Sequence, residues 1–380
     1  MTVQNIQEYL TFDDVLILPG YSDFSRSAID LTTKLTRSIE LKIPLIAAPM
    51  DTVAESTMAI ALGKLGGIGI IHRNLTLDQE ASEVKKVADQ GLVAGAAIGA
   101  SGGYEERIQA LVSAGVSVVV VDSAHGFDKK IISAIRFIKE KYPSLQVIAG
   151  NIATSEGAQA LIDAGADALR VGMGPGAICT TRIVSGMGVP QLTAILETVS
   201  VAKEAGIPVI ADGGIKYSGD MVKALAAGAG AVMMGSYFSS AEEAPGKVVE
   251  LSTEHVPARF KSILRDGQKM YKFKEYRGMG SVGAMQHGAK IKSESEFHGK
   301  SYTDRVLVAE GVEGLVPIKG SVKQLVDQAI GGIKSGMYYI GAKNLKELTE
   351  KAKFIKITQA SLTESHPHDI LITNPGESYT

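Results

Sequence analysis

The stretch that decides the fold runs from Ala164 to Arg182 and reads AGADALRVGMGPGAICTTR. It contains the end of a helical segment at Ala164-Gly165, a strand-like apolar run at Ala168 to Val171, and a loop with glycines at 172, 174 and 176. Glycine has no Cβ, so this loop can turn sharply and approach a ligand closely. The stretch therefore predicts a helix, a buried strand and a loop that displays its side chains, in direct succession.

The same pattern recurs along the chain. Eight short, nearly continuous apolar runs alternate with helical patterns, at Pro44 to Ala48, Gly67 to Ile71, Leu92 to Ile98, Ser117 to Val121, Gln146 to Ala149, Ala168 to Val171, Pro208 to Ala211 and Ala231 to Met234. Such runs are typical of parallel strands covered on both faces. Four follow an Ala-Gly pair whose glycine suits the left-handed position after a helix, at 114–115, 164–165, 205–206 and 227–228. Eight units favour a closed (β/α)8 TIM barrel of the α/β class over an open doubly wound sheet.

Composition narrows the class of protein. An apolar content of 45% fits a single barrel domain over residues 1–380, although this length also allows two smaller domains. The net charge of −2 gives no global basic field, so we expect no nucleic-acid partner and no membrane binding. Met1 to Leu10 has no secretory pattern, and no apolar run is long enough to span a membrane. A single cysteine favours a reducing cytoplasm.

Polar residues collect where the predicted strands end. In a (β/α)8 barrel, chemistry lies on the loops that leave the carboxyl ends of the strands. Gly213-Gly214 and Gly235-Ser236 follow the seventh and eighth strands, where barrels usually bind phosphate through backbone N–H groups. The alternative is that these glycines only form tight turns. The coincidence of two such loops favours a phosphate site.

Cys179 is the only cysteine of the chain. It can therefore form no intrachain disulfide and no thiolate metal cage, which leaves packing as a small apolar residue or acting as a nucleophile. Its place after the glycine loop, and just before Thr180, Thr181 and Arg182, favours the nucleophile.

The segment beyond the barrel strands, Tyr271 to Gly320, is harder to assign. Its polar run from Gln286 to Asp304 shows no sustained period, which predicts a long loop acting as a mobile flap over about residues 271–320. Helical spacing returns after Val322 and again from Leu345 to Ala352, and the tail is expected to form an extended C-terminal extension. The pair His366 and His368 could suggest a transition metal, but a structural role is favoured.

Several motifs, taken together, resemble the family of inosine-5′-monophosphate (IMP) dehydrogenases and GMP reductases over nearly the whole chain. They are Leu10 to Val15, Met50 to Val53, Asp122 to Gly126, Gly174 to Arg182 with Gly188 to Gln191, Ala211 to Gly214, Tyr276 to Ser281 and Ser365 to Asp369. The Ala-His-Gly, Val-Pro-Gln and Arg-Gly-Met-Gly-Ser sequences look like the dehydrogenase branch.

The resemblance implies an NAD-dependent oxidation of IMP to XMP in guanine nucleotide synthesis. Cys179 would attack purine C2, hydride would pass from that carbon to NAD+, and water would hydrolyse the thioimidate that remains. Thr181 and Glu310 would form the hydrolytic relay.

The resemblance also implies binding residues. For the substrate these are Met50, Asp212 at the ribose, Gly214, Gly235, Ser236 and Tyr276 at the phosphate, Met279 and Gly280 at the base, and also Gly213, Gly278 and Glu310. For the cofactor they are Asp122, Ser123, Asn151, Arg170, Gly172 and Gly174. A potassium ion would be held by carbonyls of Gly174, Gly176 and Cys179 and by Glu364, Ser365 and His366 of a neighbouring subunit. The expected assembly is a homotetramer.

Two departures from the family pattern concern regulation and substrate affinity. The family usually carries a pair of cystathionine-β-synthase-type (CBS) domains after the second helix, whereas here residues 88–91 join Val87 directly to Leu92. We therefore expect the pair, and nucleotide regulation through it, to be absent. The serine that contacts phosphate in the family is Ala177 here, so one hydroxyl donor is missing.

A third departure concerns the hydrolytic base. The dehydrogenases carry an adjacent Arg-Tyr pair in the flap, and none occurs between Gln286 and Glu310. The nearest candidates are Lys292-Ser293 and Ser301-Tyr302 with Arg305.

Three other hypotheses remain open from sequence. One is a GMP reductase, which deaminates GMP to IMP with NADPH through the same cysteine adduct and lacks the Arg-Tyr pair. Another is an FMN-binding barrel oxidoreductase, because the phosphate loops suit any phosphorylated ligand. The last is a catalytically silent nucleotide-binding protein.

Overall fold

The computed structural model describes residues 6–265, 267–295, 308–370 and 372, and its centre is a closed barrel of eight parallel strands. The barrel strands are β4 (Leu45–Ala47), β5 (Ile68–Ile71), β6 (Gly95–Ile98), β7 (Val118–Asp122), β8 (Gln146–Ile152), β9 (Ala168–Val171), β10 (Val209–Asp212) and β11 (Ala231–Met234). They pair in chain order, and β11 closes the ring on β4. Each of the eight apolar runs overlaps one of these strands, so the predicted TIM barrel is confirmed. Strands β7, β8 and β10 continue beyond their predicted runs, to Asp122, Ile152 and Asp212.

Helices surround the barrel. They are α1 (Ser56–Lys64), α2 (Leu77–Ala88), α3 (Tyr104–Ser113), α4 (Lys129–Lys141), α5 (Ser155–Asp163), α7 (Gln191–Glu204), α8 (Ser218–Ala226) and α11 (Val322–Ile340). Helix α11 packs against α8 and α1 and so occupies the place of the eighth helix. The glycine of each predicted Ala-Gly turn has φ between 65° and 101°, the left-handed conformation that ends a helix before the next strand.

Alternate residues of each strand face the barrel interior, which is filled and not open. Ile46, Ile68, Val120 and Ile210 belong to this inner cluster. Leu35 and Leu41, from the hairpin of β2 (Thr33–Lys34) and β3 (Glu40–Leu41), also join it. The hairpin lies at the amino ends of the strands, since Arg37 N–H donates to Asp167 O just before β9. The hairpin therefore closes the bottom of the barrel, and a site is expected at the other rim, at the carboxyl ends of the strands.

A long insertion separates the short helix α9 (Ser236–Ser239) from α11. It contains an antiparallel sheet of β12 (Val248–Ser252), β13 (Met270–Arg277) and β14 (Glu313–Pro317), and the helix α10 (Val282–Ser295). Strands β13 and β14 lie within the segment predicted as one flap. Residues 296–307, which include the candidates Ser301, Tyr302 and Arg305, lie outside the described residues.

The prediction of a loop from Gln286 onward is wrong as far as Ser295, because α10 continues to that residue. Its buried face includes Ala284 and Ile291, with Gly288 between them against Asn74. A helix that packs through glycine and alanine buries little apolar surface, so it gives no hydrophobic period that a sequence analysis can detect. The side chains of Lys292 and Ser293 are not described.

The two ends of the described chain meet on one side of the barrel. Strand β1 (Val15–Ile17) pairs with β15 (Phe354–Lys356), which follows α12 (Leu345–Lys351), the second helix predicted after the flap. Helix α13 (Gln359–Glu364) precedes the tail, and α6 (Thr181–Ser185) lies in the cysteine loop. Short 3-10 helices occur at Phe12–Asp14, Arg26–Ala28, Thr253–His255 and Ala258–Ile263. Among the described residues, no helix is both long and apolar enough to span a bilayer.

A buried ion pair joins α2 to α3. Glu80 is fully buried and pairs with Arg107, which also donates to Leu75 O at 3.1 Å. Burial raises the pKa of Glu80 to about 7, and Arg107 offsets only part of that effect. Because the folded-state pKa lies above the ordinary value of 4.5, this group stabilises fully below pH 4.5 and its contribution is lost as pH rises through 7.

We predict that Glu80→Gln changes the pH dependence of stability. Relative to the native chain, the unfolding free energy of the variant should rise by up to about 3 kcal/mol between pH 4.5 and 8, because the titrating group is gone. The measurement is denaturant unfolding at several pH values. Glu83→Gln on the same helix is the control: hydrogen bonds from Lys86 and Ser56 outweigh burial and lower the pKa of Glu83, so its contribution is lost only as pH falls below 4.5. The stability of this variant relative to the native chain should therefore not rise between pH 4.5 and 8. Parallel pH profiles for Glu80→Gln and the native chain would contradict the prediction.

Candidate active site

A cavity of about 330 Å³ opens at the carboxyl ends of the barrel strands, within the size range of small-molecule sites. It is lined by loops that follow the strands and by residues of the insertion. All residues expected to act in catalysis or to bind substrate or cofactor line this one cavity. Ala177 and Arg73 line it as well.

Cys179 lies at the start of a short hydrogen-bonded chain. Its Sγ donates to Thr181 Oγ1 at 3.2 Å, and that hydroxyl donates to Glu310 Oε2 at 2.8 Å. The thiol is half-buried and faces the cavity. A proton leaving the sulfur therefore has a path through one hydroxyl to a carboxylate.

Three short backbone segments hold the hydrogen-bonded residues Cys179, Thr181 and Glu310 in place. We call these segments the ribbon: residues 178–180, 278–280 and 310–312. Thr180 N–H donates to Glu310 O at 3.0 Å and Val312 N–H to Ile178 O at 2.9 Å. On the other side, Glu310 N–H donates to Gly280 O and Gly278 N–H to Val312 O, both at 3.1 Å. The ribbon brings the insertion against the cysteine loop and fixes Glu310 beside Thr181.

A row of alternating charges forms one wall of the cavity. Arg170 donates from Nη1 to Asp122 Oδ1 at 2.6 Å and from Nε to Asp212 Oδ2 at 2.9 Å. Arg73 Nε donates to the other oxygen of Asp122 at 3.1 Å, and Asn151 Nδ2 donates to Asp212 Oδ2 at 2.8 Å. The row joins the residue expected at the substrate ribose to the residue expected at the cofactor ribose.

The charges of this row stabilise each other. Burial alone would raise the pKa of Asp122, but the two guanidinium groups outweigh it and lower that pKa. Burial would likewise lower the pKa of Arg170, and the carboxylates of Asp212 and Asp122 raise it. Asp122 and Arg170 therefore remain charged, which suits them to accept and donate hydrogen bonds to a polar ligand.

The two glycine-bearing loops meet at the other side of the cavity. Gly213 and Gly214 have φ of 89° and 76°, a left-handed backbone conformation that residues with a Cβ rarely adopt. This conformation sets the direction of their backbone N–H groups. A Cβ on Gly235 would lie 2.6 Å from Tyr276 Oη and 2.8 Å from Met50 Sδ, so both side chains converge on this glycine. Burial and the nearby Asp212 raise the pKa of Tyr276, which keeps the phenol neutral and able to donate to an anion.

Two residues in the barrel rim hold the loops and were not assigned from sequence. Gln191 is fully buried and donates from Nε2 to Val171 O at 2.9 Å and to Asp212 O at 3.1 Å. Arg73 follows the second barrel strand, and its Nε holds Asp122 at 3.1 Å. No local sequence pattern predicts that Gln191 is buried, because its partners are backbone carbonyls of distant strands.

The three C-terminal residues expected to bind potassium lie outside the cavity of their own chain. Glu364 and Ser365 are exposed, and the ring of His366 packs against Tyr217 at 6.2 Å between centroids. His368 Nδ1 bonds His366 O at 2.9 Å, which is a local structural contact. Within the described part of the chain, no group of three or more His, Cys, Asp or Glu residues could hold a metal ion.

Fold and site together define a class: a (β/α)8-barrel protein that presents a cysteine loop beside a candidate phosphate site. Comparison with known proteins identifies the family. The family model described as "IMP dehydrogenase / GMP reductase domain" matches residues 9–368, and the chain belongs to this family.

Similar proteins share this description. The chain is 38% identical to an inosine-5′-monophosphate dehydrogenase of Aquifex aeolicus, over 99% of this chain and 98% of the relative. It is 41% identical to that of Borreliella burgdorferi, over 96% and 98%, and 41% identical to that of Cryptosporidium parvum, over 100% of both chains.

A short connection joins α2 to β6. Helix α2 ends at Ala88 and β6 begins at Gly95, so the chain passes directly from one to the other. The alignment with the Aquifex protein spans 504 positions and that with the Borreliella protein 414, against 380 residues here. Some relatives therefore contain sequence that this chain lacks.

We predict that Gly172→Ala disrupts the site through packing. A Cβ at this position would lie 2.0 Å from Asp212 O, with φ at 154°, so the ends of β9 and β10 must separate. We expect a loss of roughly 1–3 kcal/mol in unfolding free energy, typical of overpacking, together with weaker nucleotide binding. Thermal unfolding and ligand titration are the measurements. Gly219→Ala, where nothing lies within 4 Å, is the control and should be neutral or stabilising. A stable Gly172→Ala variant with native binding would contradict this role.

Proposed function

We propose that this chain oxidises IMP to XMP with NAD+ through a covalent adduct on Cys179, as an oxidoreductase of guanine nucleotide synthesis. One observation carries the proposal: the sulfur of Cys179 shares a single cavity with the glycine loops after β10 and β11. Family membership and relatives described as IMP dehydrogenases support it. The FMN hypothesis has no comparable support.

In this proposal the mononucleotide spans the cavity. Backbone N–H groups of Gly213, Gly214, Gly235 and Ser236, with the Tyr276 hydroxyl, hold the phosphate. Asp212 accepts from the ribose hydroxyls, and its orientation is fixed by Arg170 and Asn151. Met50, Gly278, Met279 and Gly280 contact the base and leave C2 beside the sulfur.

The first chemical step forms a bond between Sγ and C2. An unperturbed thiol with a pKa of about 8.5 is mostly protonated at neutral pH, so attack requires a proton acceptor. The chain from Sγ through Thr181 Oγ1 to Glu310 Oε2 supplies one. The adduct makes C2 tetrahedral, which converts an aromatic C–H into a hydride donor.

The second step returns the enzyme to its resting state. Once hydride has left, the thioimidate takes up water at C2, the C–S bond breaks, and XMP and the thiol are released. Water must lose a proton in this step, and Thr181 with Glu310 is the relay available for it.

The cofactor side of the cavity fits a dinucleotide. Asp122, Ser123, Asn151, Arg170, Gly172 and Gly174 line it, and the carboxylate oxygens of Asp122 keep lone pairs for ribose hydroxyls beside their guanidinium partners. NAD+, when bound, accepts the hydride. The residues of the chain orient it and exclude water.

A potassium ion is part of the proposal. Backbone carbonyls of Gly174, Gly176 and Cys179 would provide oxygen ligands of the kind that hard monovalent cations prefer. Glu364, Ser365 and His366 of a neighbouring subunit would complete the set in a homotetramer, and the exposure of Glu364 and Ser365 in their own chain suits this. We expect a cytoplasmic location, because Cys179 must stay reduced.

The second candidate is a GMP reductase. The absence of an adjacent Arg-Tyr pair between Gln286 and Glu310 favours it, because a reductase does not hydrolyse the intermediate. The catalytic cysteine and the relay would be the same in both reactions.

We predict that the chain produces NADH from IMP and NAD+, and that Cys179→Ala abolishes this turnover. Absorbance at 340 nm follows the reaction, and mass spectrometry detects a purine adduct on the sole thiol that decays to XMP. Cys179→Ser is the matched control, which keeps the shape but not the nucleophilicity. NADPH oxidation that depends on GMP, with no NADH from IMP, would establish the reductase instead. Unchanged turnover in Cys179→Ala would exclude covalent catalysis.

We predict that Ala177→Ser strengthens substrate binding. Ala177 lines the cavity on the cysteine loop, so a hydroxyl there can reach the phosphate. One added hydrogen bond is worth roughly 0.5–1.5 kcal/mol, or about a 2- to 13-fold lower KM for IMP with little change in kcat. Ala177→Val, which adds bulk without a donor, is the control and should not lower KM. Equal KM values for the serine variant and the native chain would show that the phosphate lies elsewhere.

A further inference from the structure

An ion pair connects the insertion to the barrel rim next to the ribbon. Arg277 is the last residue of β13, and its Nε and Nη2 donate to Asp51 Oδ1 at 3.0 Å and Oδ2 at 2.7 Å. The side chain of Asp51, in the loop after β4, is only 4% exposed. Because the guanidinium donates two hydrogen bonds to one carboxylate, the pair fixes both the distance and the orientation between the end of β13 and the loop after β4.

Asn74 extends the contact to a second barrel loop. Its Nδ2 donates to Asp51 Oδ2 at 2.9 Å and to Ala284 O of α10 at 3.1 Å. Burial alone would raise the pKa of Asp51, but hydrogen bonds from Arg277 and Asn74 lower it, so the carboxylate stays charged. The loops after β4 and β5 thus hold β13 and α10 through one buried carboxylate.

The pair lies one peptide bond from the ribbon. Gly278, directly after Arg277, donates to Val312 O, and Gly280 accepts from Glu310 N–H. A shift of Arg277 would therefore move residues 278–280, then residues 310–312, and so the Glu310 carboxylate that accepts from Thr181. The ribbon is also held by the pairing of Arg277 with Glu313 between β13 and β14, and by a hydrogen bond from Arg277 N–H to Thr52 Oγ1 at 3.2 Å. These contacts hold the backbone, and the pair with Asp51 adds a fixed position for the Arg277 side chain.

We propose that Asp51 and Arg277 act as a latch that positions Glu310 against Thr181 and Cys179. They touch neither substrate nor reacting atoms in this role, so both are positioning residues. The kinetic part of the inference rests on the proposed function, whereas the structural part does not.

The structural test is hydrogen exchange measured by mass spectrometry on the unliganded protein. Asp51→Asn keeps the shape of the side chain and removes its charge, so exchange should become faster in peptides that cover 276–282 and 308–313. Asp167→Asn is the matched control, because Asp167 is also a buried carboxylate, paired to Lys139 at 2.8 Å below the barrel. The control should leave both peptides unchanged. Native exchange in Asp51→Asn would overturn the latch.

The kinetic test is a double-mutant cycle with Glu310→Gln. Asp51→Asn alone should lower kcat/KM for IMP by about 100-fold, the cost of a small displacement of a catalytic group. In the Glu310→Gln background the same change should cost less than about threefold, because coupled residues are not additive. Equal losses in both backgrounds would overturn the proposal, since the pair would then not act through Glu310.

One further variant and one further assay separate failure of the latch from failure of the proposed function. Arg277→Lys retains the charge but loses the planar guanidinium that donates both hydrogen bonds, so it should show an intermediate loss in kcat/KM. This variant replaces Asp51→Asn if Asp51→Asn does not fold. If native protein produces no NADH from IMP, the cycle is run with GMP and NADPH. If neither pair of substrates reacts, the proposed function fails, and the exchange result alone decides whether the latch exists.

Discussion

Closure of the parallel strands is the constraint on which the rest of the structure depends. β10 bonds to both β9 and β11, and β11 bonds to β4, so every strand ends at one rim while the hairpin with Leu35 fills the other. Because all eight loops leave from this rim, residues far apart in the chain can line a cavity of about 330 Å³. Ring closure also pairs both edges of every barrel strand, so the barrel offers no free edge for another strand to join.

Pairing between buried charges sets the shape of one wall of the cavity. Isolated buried charges are costly, and breaking a buried pair leaves an uncompensated group. Arg170 lies between Asp122 and Asp212, and Arg73 satisfies the remaining oxygen of Asp122. The row therefore holds Asp122 and Asp212 at a fixed separation, so that wall of the cavity is preorganised and not assembled on binding.

The sequence predicted the barrel well and the insertion poorly, for physical reasons that particular elements show. Strands such as β11 are continuous apolar runs bounded by glycine, here Gly230 and Gly235, so the limits of the strand can be predicted from nearby residues. Helix α10 packs through Ala284 and Gly288, and the three-stranded sheet pairs residues such as Phe273 and Pro317 across the insertion. Neither feature produces a periodic pattern of hydrophobic residues in the sequence. In the site, the cysteine loop and the glycine turns are predicted from the residues themselves, whereas Glu310 and the residues proposed to bind ribose follow only from the family resemblance.

The sequence by itself determined the eight strand–helix units, the lone thiol on a glycine loop and the two candidate phosphate turns, because each depends on neighbours within a few residues. Only the tertiary structure decided which side chains meet. Glu310 is 129 residues from Thr181, and Asp51 is 226 residues from Arg277. Such contacts form when barrel closure and the insertion bring distant loops within hydrogen-bond distance, and no local pattern of residues encodes that distance.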